Sequence, residues 1–405
     1  MLPSRRMFVL GITLLVVLGV GSTLFTVAYL GKGTPKQIVP IPNKVVPTAA
    51  STAAVKPTPT PQVSFTFTAA GDYGQTNYTT EVLKYIAHSG VKFDLALGDF
   101  SYNPAVSAAA WSAYAKSYLP TNFPFEILPG GHDTSDAGEN TGNDLSTYAA
   151  DLPDHIGKIT GTYGIQYAFD YPVKQPLARF ILVSPSNVVS GYDYGKGSAD
   201  YNWVSQEIDS ARAAKIHWVI VAMHQYCFVI DSTSCASQDL LDLLLAKHVD
   251  LILQAQKHNY QASKQLALNS GCTVLPITSY NSHCVVNATT NMTRGAGSVI
   301  VVTGTGGTTP QLAINTSDPK IGYFRKWMGA NINQTWGLSQ FTISATQLSM
   351  HYINVSGSFS DSFSISGSGS PPATSLSSSP SPAKALSNFS VVAWLQPLPR
   401  SKQIR

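Results

Sequence analysis

Two short stretches, Ala70-Gly71-Asp72-Tyr73-Gly74 and Leu97-Gly98-Asp99-Phe100-Ser101-Tyr102, constrain this chain more than any other feature. Each ends an apolar run, residues 63–69 and 93–97, that predicts a buried strand, and residues 79–88 between them predict a helix. The result is a βαβ unit whose two strands each deliver an aspartate at the C-terminal end, where open α/β sheets bind ligands. Glycine allows the sharp turn that sends the carboxylate outward. Two carboxylates brought side by side repel, and one takes up a proton unless a cation lies between them.

Further metal-ligand side chains follow at strand ends. Phe125-Glu126-Ile127-Leu128 precedes Pro129-Gly130-Gly131-His132-Asp133, 218–223 precedes His224, and 249–253 precedes Gln254-Ala255-Gln256-Lys257-His258. A single polar residue at a strand end is ordinarily a cap. Five in succession, all of ligand type, point to a metal site.

The ladder resembles the calcineurin-like metallophosphoesterases, and among them the purple acid phosphatases. Their motifs run Asp-x-Gly, Gly-Asp-x-x-Tyr, Gly-Asn-His-Asp/Glu, a His after a Val-rich strand, then Gly-His-x-His. Asp72-Tyr73-Gly74 fits the first, Gly98 to Tyr102 the second and His224 the fourth, and Tyr102 points to the purple branch. The likeness covers about residues 63–366, including the glycine-rich Thr303-Gly304-Thr305-Gly306-Gly307. It implies a four-layer α/β/β/α sandwich of two mixed sheets flanked by helices. It also implies that Asp72, Tyr102 and His258 hold a first metal, that Asp99 bridges, and that Asp99 and His224 hold a second. His132 would be the acid that protonates the leaving oxygen, with Asp133 orienting it. Iron, zinc or manganese are the implied ions.

Two positions depart from the pattern. Gly131 stands where the family has a metal-binding Asn, and Gln256 where it has its first His. Gly131 offers no side chain, and an amide oxygen is a poorer ligand than imidazole for zinc or iron. One tight site and one weak site are therefore expected. Two functions follow: a metal-dependent phosphoesterase, or a catalytically impaired relative that binds a phosphorylated ligand or a protein.

Outside this region, residues 1–6 carry Arg5 and Arg6 and precede an uncharged apolar run at 7–30, long enough to cross a bilayer as a helix. The run is longer than a secretory signal's apolar region and no clear Ala-x-Ala follows, which favours a signal anchor over a cleaved signal. Arg5 and Arg6 put the N-terminus in the cytoplasm and the remainder outside. Residues 31–62, rich in Pro and Thr, predict an extended tether. Residues 367–405 form a Ser/Pro/Gly-rich linker and a tail with a basic end. Ten of the 26 Lys and Arg lie in these terminal segments, whereas all 22 Asp and Glu lie within 63–366. The core is thus net acidic, the opposite of a nucleic-acid binder's basic stripe.

The remaining core pattern is α/β. Helices are expected over 105–118, 199–214 and 237–247, strands over 163–171 and 178–184, and a long polar loop over 134–161. Strands at 299–303, 340–344 and 348–355 are expected to form a second sheet. Four cysteines outside the membrane suggest two disulfides; proximity favours Cys227–Cys235 and Cys272–Cys284. A zinc site from His224, Cys227, His283 and Cys284 is the competing arrangement.

Overall fold

The computed structural model describes residues 63–135, 144–185 and 188–367. In chain order come β1 (Ser64–Ala70), α1 (Asn77–His88), β2 (Asp94–Ala96), α2 (Ala108–Lys116), β3 (Phe125–Ile127) and α3 (Leu145–Asp151). Next are β4 (Thr160–Thr162), β5 (Gln166–Tyr171), β6 (Ala178–Leu182), α4 (Ala199–Ala213), β7 (Trp218–Ala222), α5 (Gln238–Ala246) and β8 (Leu251–Gln254). The last part supplies β9 (Tyr260–Ser263), β10 (Gln265–Leu266), β11 (Val285–Asn287), β12 (Asn291–Thr293), β13 (Val299–Thr303), β14 (Phe324–Met328), β15 (Trp336–Ser344), β16 (Gln347–Ser356) and β17 (Ser362–Ser366).

One sheet has the order β12-β17-β16-β15-β1-β2-β3, the other β14-β9-β13-β8-β7-β6-β5-β4. β1, β2 and β3 run parallel, as do β6, β7, β8 and β13. Parallel neighbours need crossovers, and α1, α2, α4 and α5 provide them between successive strands. Thr76 caps α1, its hydroxyl accepting from the Thr79 amide while Thr79 Oγ1 accepts from the Thr76 amide.

Strands buried on both faces read as continuous apolar runs. In β7, Trp218, Ile220 and Ala222 face the opposite sheet, while Val219 and Val221 face the layer of α4 and α5. Between the sheets Phe67, Phe93 and Phe180 pack with ring centroids 5.1–5.2 Å apart. Val82, Leu83, Ile86 and Trp111 of α1 and α2 cover the outer face of the first sheet at Ala70, Ala96 and Ile127. The layers are therefore helix, sheet, sheet, helix, as expected.

Two details differ from the sequence expectation, and the cysteine pairing agrees with it. Residues 299–303 do not join 340–344 and 348–355: β13 lies beside β8, whereas β15 and β16 form a hairpin that extends the sheet of β1. A strand's apolar pattern reports burial, and its partner is chosen by long-range pairing. The 134–161 segment also contains α3 and the start of β4, with Tyr148 of α3 fully buried against Phe100 and Trp111. The cysteines pair as Cys227–Cys235 and Cys272–Cys284, which leaves no thiolate for a zinc site. The proposed anchor at 7–30, the tether at 31–62 and the tail from 368 lie outside the described residues. Among the described residues no helix is long and apolar enough to cross a membrane.

Candidate metal centre

The C-terminal ends of strands from both sheets meet at one rim. The Gly71 amide donates to the Thr303 carbonyl (3.0 Å), the Asp72 amide to Gly98 (3.0 Å) and the Tyr73 amide to Asp99 (3.0 Å). These bonds tie the end of β1 to β13 in the other sheet and to the loop after β2. Asp72, Asp99 and Gln256 take the left-handed conformation, with φ of 60°, 54° and 63°. Non-glycine residues held there cost about 1–3 kcal/mol each and cluster at functional sites. Gly130 is required for close approach: a Cβ there would collide with the Asp99 carboxylate.

Four donor atoms converge on this rim. The Tyr102 hydroxyl lies 2.9 Å from Asp72 Oδ1, 3.1 Å from Asp99 Oδ2 and 3.1 Å from His258 Nε2. His258 Nε2 is 3.5 Å from Asp72 Oδ1. A phenol has one proton and cannot satisfy three acceptors. His224 joins from β7, its Nε2 3.3 Å from Asp99 Oδ2. Ligand atoms of Asp72, Asp99 and His224 all lie within 4.8 Å of one another.

The imidazoles are aimed by backbone carbonyls. His224 Nδ1 donates to Leu97 O at 2.5 Å and His258 Nδ1 to Pro310 O at 3.2 Å. A carbonyl only accepts, so each Nδ1 carries the hydrogen and Nε2 is turned to the rim, the arrangement usual for a metal-ligating histidine.

Burial and charge oppose one another here. Burial pushes the Asp99 carboxyl up, but the His224 ring facing it prevails and holds it at about 2. Burial works against charge on His224, yet Asp99 and then Asp72 raise it to about 10. Burial raises Asp72. Burial, followed by the two carboxylates, keeps the Tyr102 phenol well above its ordinary value, so a phenolate there needs a cation.

The donor set fits a metal ion. Asp72 Oδ2 is buried without a hydrogen-bond partner, an expensive condition that a bound cation relieves. Carboxylates, a phenol and imidazoles suit iron, zinc and manganese.

Gly131 opens the 3₁₀ turn Gly131–Asp133, and Gln256 is half-buried. The buried carboxylate of Asp133 accepts from the amides of Asp99 (2.6 Å), Gly130 (2.8 Å) and Phe100 (2.9 Å), clamping the loops after β2 and β3 together. The His132 amide donates to Asp99 Oδ1 at 2.9 Å, and its ring lies 4.4 Å from that of Tyr102. Lys257 turns to the neighbouring loop, with Nζ 3.5 Å from the Asp231 carbonyl and 5.4 Å above the Tyr226 ring. Sequence reasoning missed the orienting carbonyls of Leu97 and Pro310, which no side-chain pattern could announce.

No family model matches the chain. In sequence it is 22% identical over 219 residues to purple acid phosphatase 21 of Arabidopsis thaliana, covering 52% of this chain and 47% of that protein. It is 22% identical over 287 residues to purple acid phosphatase 1 of Ipomoea batatas, covering 66% and 55%. The chain spans about half the length of the curated relatives it matches. In structure it resembles purple acid phosphatase PPD1 from yellow lupin (Lupinus luteus), with a TM-score of 0.52 and 16% identity over 75% of this chain and 54% of that one. The chain is a distant relative of the purple acid phosphatases and carries the α/β/β/α sandwich of the calcineurin-like metallophosphoesterase superfamily.

Proposed function

We propose that the protein is a metal-dependent phosphoric ester hydrolase, held outside the cytoplasm by an N-terminal anchor at 7–30 and a tether at 31–62. The observation that carries the catalytic part is the convergence of Asp72, Asp99, Tyr102 and His258 within hydrogen-bonding distance, with His224 facing Asp99. These residues would hold iron, zinc or manganese. When bound, such an ion neutralises charge on the phosphoryl oxygens and makes water a nucleophile at neutral pH.

The chain's own groups supply the rest. Leu97 and Pro310 hold the imidazoles in place, and the Asp133 clamp keeps the loops after β2 and β3 at a fixed spacing. His132, beside Tyr102 on the partly open rim, donates a proton to the leaving oxygen. The substrate is a phosphorylated small molecule or surface group. The acidic core argues against nucleic acid. The two disulfides suit an oxidising compartment.

Turnover of p-nitrophenyl phosphate by the purified full chain tests the chemistry. Activity should vanish with chelator and return with iron, zinc or manganese, and His132→Ala should lower kcat by roughly 10²-fold or more. A folded, metal-loaded protein that turns over nothing yet binds inorganic phosphate would point instead to a binding protein, the role that Gly131 and Gln256 favour. Extraction of the chain from membranes only by detergent, with residues 63–366 exposed to external protease, is the outcome expected of the anchor.

A further inference from the structure

The end of the second sheet opposite the metal rim holds a basic cluster that the proposed hydrolysis does not use. It gathers where β7 and β8 begin, about 16 Å from the rim along the five residues of β7. Arg212, in the last turn of α4, donates to the carbonyls of His217 (3.2 Å) and His248 (3.1 Å) and to Asp250 Oδ2 (2.9 Å). His248 Nδ1 donates to the Gly295 carbonyl at 2.7 Å. The Arg294 guanidinium, next in the chain to Gly295, lies over the Trp218 ring, 5.4 Å from its centroid. We propose that this cluster binds a phosphodiester-type oxyanion of one negative charge, held by the guanidinium groups of Arg294 and Arg212.

Three observations carry it. The first is charge. Two guanidinium groups share one carboxylate, Asp250, whose Oδ2 is already engaged by Arg212 and by the Val219 amide. Among the described residues Arg294 makes no ion pair, and residues 1–62 and 368–405 contain no Asp or Glu that could supply one. Burial lowers Arg294 from the ordinary guanidinium value, Asp250 opposes that shift and Arg212 adds to it. One positive charge is thus left over. Asp250 cancels the other, which suits a monoanion and disfavours a dianion.

The second is unmet hydrogen bonding. Arg212 Nε, Arg294 Nε and His217 Nδ1 are buried without a hydrogen-bond partner. Buried polar groups are ordinarily satisfied, and an oxyanion offers several acceptors at once to the planar fork of a guanidinium. Burial, followed by Arg294, holds the His217 imidazole below its ordinary value, so it stays neutral and adds no further charge.

The third is placement. Ser64 pairs with Ser344, whose carbonyl accepts from Trp218 Nε1 at 2.7 Å, and the Arg294 amide donates to the Ser366 carbonyl at 2.9 Å. Residues 63 and 367 therefore both adjoin the cluster, and the segment at 31–62 joins the domain beside it. A phosphodiester reaches this end from a lipid headgroup or free in solution.

Calorimetric titration of the purified full chain separates the two sources. Chelator is kept present so that the rim takes up no phosphate, and the probes are dimethyl phosphate and short-chain dihexanoyl phosphatidylglycerol. At least one probe should bind saturably, one per chain, and Arg294→Gln should weaken that binding tenfold or more. Binding of dimethyl phosphate shows that a free phosphodiester suffices, whereas binding of the lipid alone assigns the site to a headgroup. The proposal is overturned if neither probe binds, or if Arg294→Gln binds as tightly as the unaltered chain. Should circular dichroism show that Arg294→Gln does not fold, Arg294→Met, which keeps an apolar chain over Trp218, takes its place. The titration needs no metal, so its result is independent of whether the protein hydrolyses esters.

Discussion

The two sides of the rim share a backbone but not a donor set. On one side, the loops after β1 and β2 and His258 bring two carboxylates, a phenol and an imidazole within 3.5 Å of a neighbour. On the other, Gly131 and Gln256 stand where the family pattern has donors. Yet the loops that carry Gly131 and Gln256 are held in defined conformations. Gln256 retains a left-handed φ of 63°, and Gly131 sits in a turn closed by the Asp133 clamp. The contrast shows that main-chain hydrogen bonds hold these loops at the rim whether or not the loops carry ligand side chains.

The largest effect should come from Asp99, which belongs to both sides. Asp99→Asn should abolish high-affinity metal binding and turnover while the fold persists, read by metal content and circular dichroism. A variant that kept its metal would break the comparison, because the shared carboxylate would be dispensable.

Next is the scaffold itself. Asp133→Ala leaves three buried amides without an acceptor and should cost about 3 kcal/mol or more of stability, seen in chemical denaturation. Asp133→Asn should cost less. If instead Asp133→Asn left stability unchanged and moved only the pH profile of kcat, Asp133 would be acting on His132 and not on the main chain.

A buried carboxyl away from both sides provides a control. Burial, and then Asp154, raises Glu126 on β3 from 4.5 to about 8, and its Oε2 has no hydrogen-bond partner. The folded protein therefore binds this proton more tightly than the unfolded chain. That contribution is complete below about pH 4.5 and is lost as pH rises through about 8, a decline on the order of 4 kcal/mol. Glu126→Gln should flatten this decline in denaturation curves taken across the range, without altering zinc content.

The smallest effect is expected at Lys257. Its ammonium faces the Asp231 carbonyl and the Tyr226 ring, so Lys257→Ala should leave turnover within about twofold of the unaltered chain. A large loss would mean that this cation compensates for the weaker side.

Much of the fold was readable because β1, β2, β7 and β8 are buried runs that end abruptly at Gly, Asp, His or Gln. Those ends also carry the donors, so Asp72, Asp99, Tyr102, His224 and His258 could be named from spacing and resemblance before any contact was known. The cysteine pairing followed from proximity in the chain. What failed was partner choice for β13, and what went unread was the main-chain clamp of Asp133. Each depends on groups far away in sequence: β8 for the strand, and the amides of Asp99 and Phe100 for the carboxylate.

By itself, then, the sequence determined which side chains could serve as ligands, because apolar period and glycine punctuation are local properties of a chain. Only the tertiary structure decided where those ligands stand. The carbonyls of Leu97 and Pro310, the clamp of Asp133 and the meeting of the two sheets at Gly71 and Thr303 are long-range hydrogen bonds. Such bonds form only when distant segments have packed, so no local pattern records them.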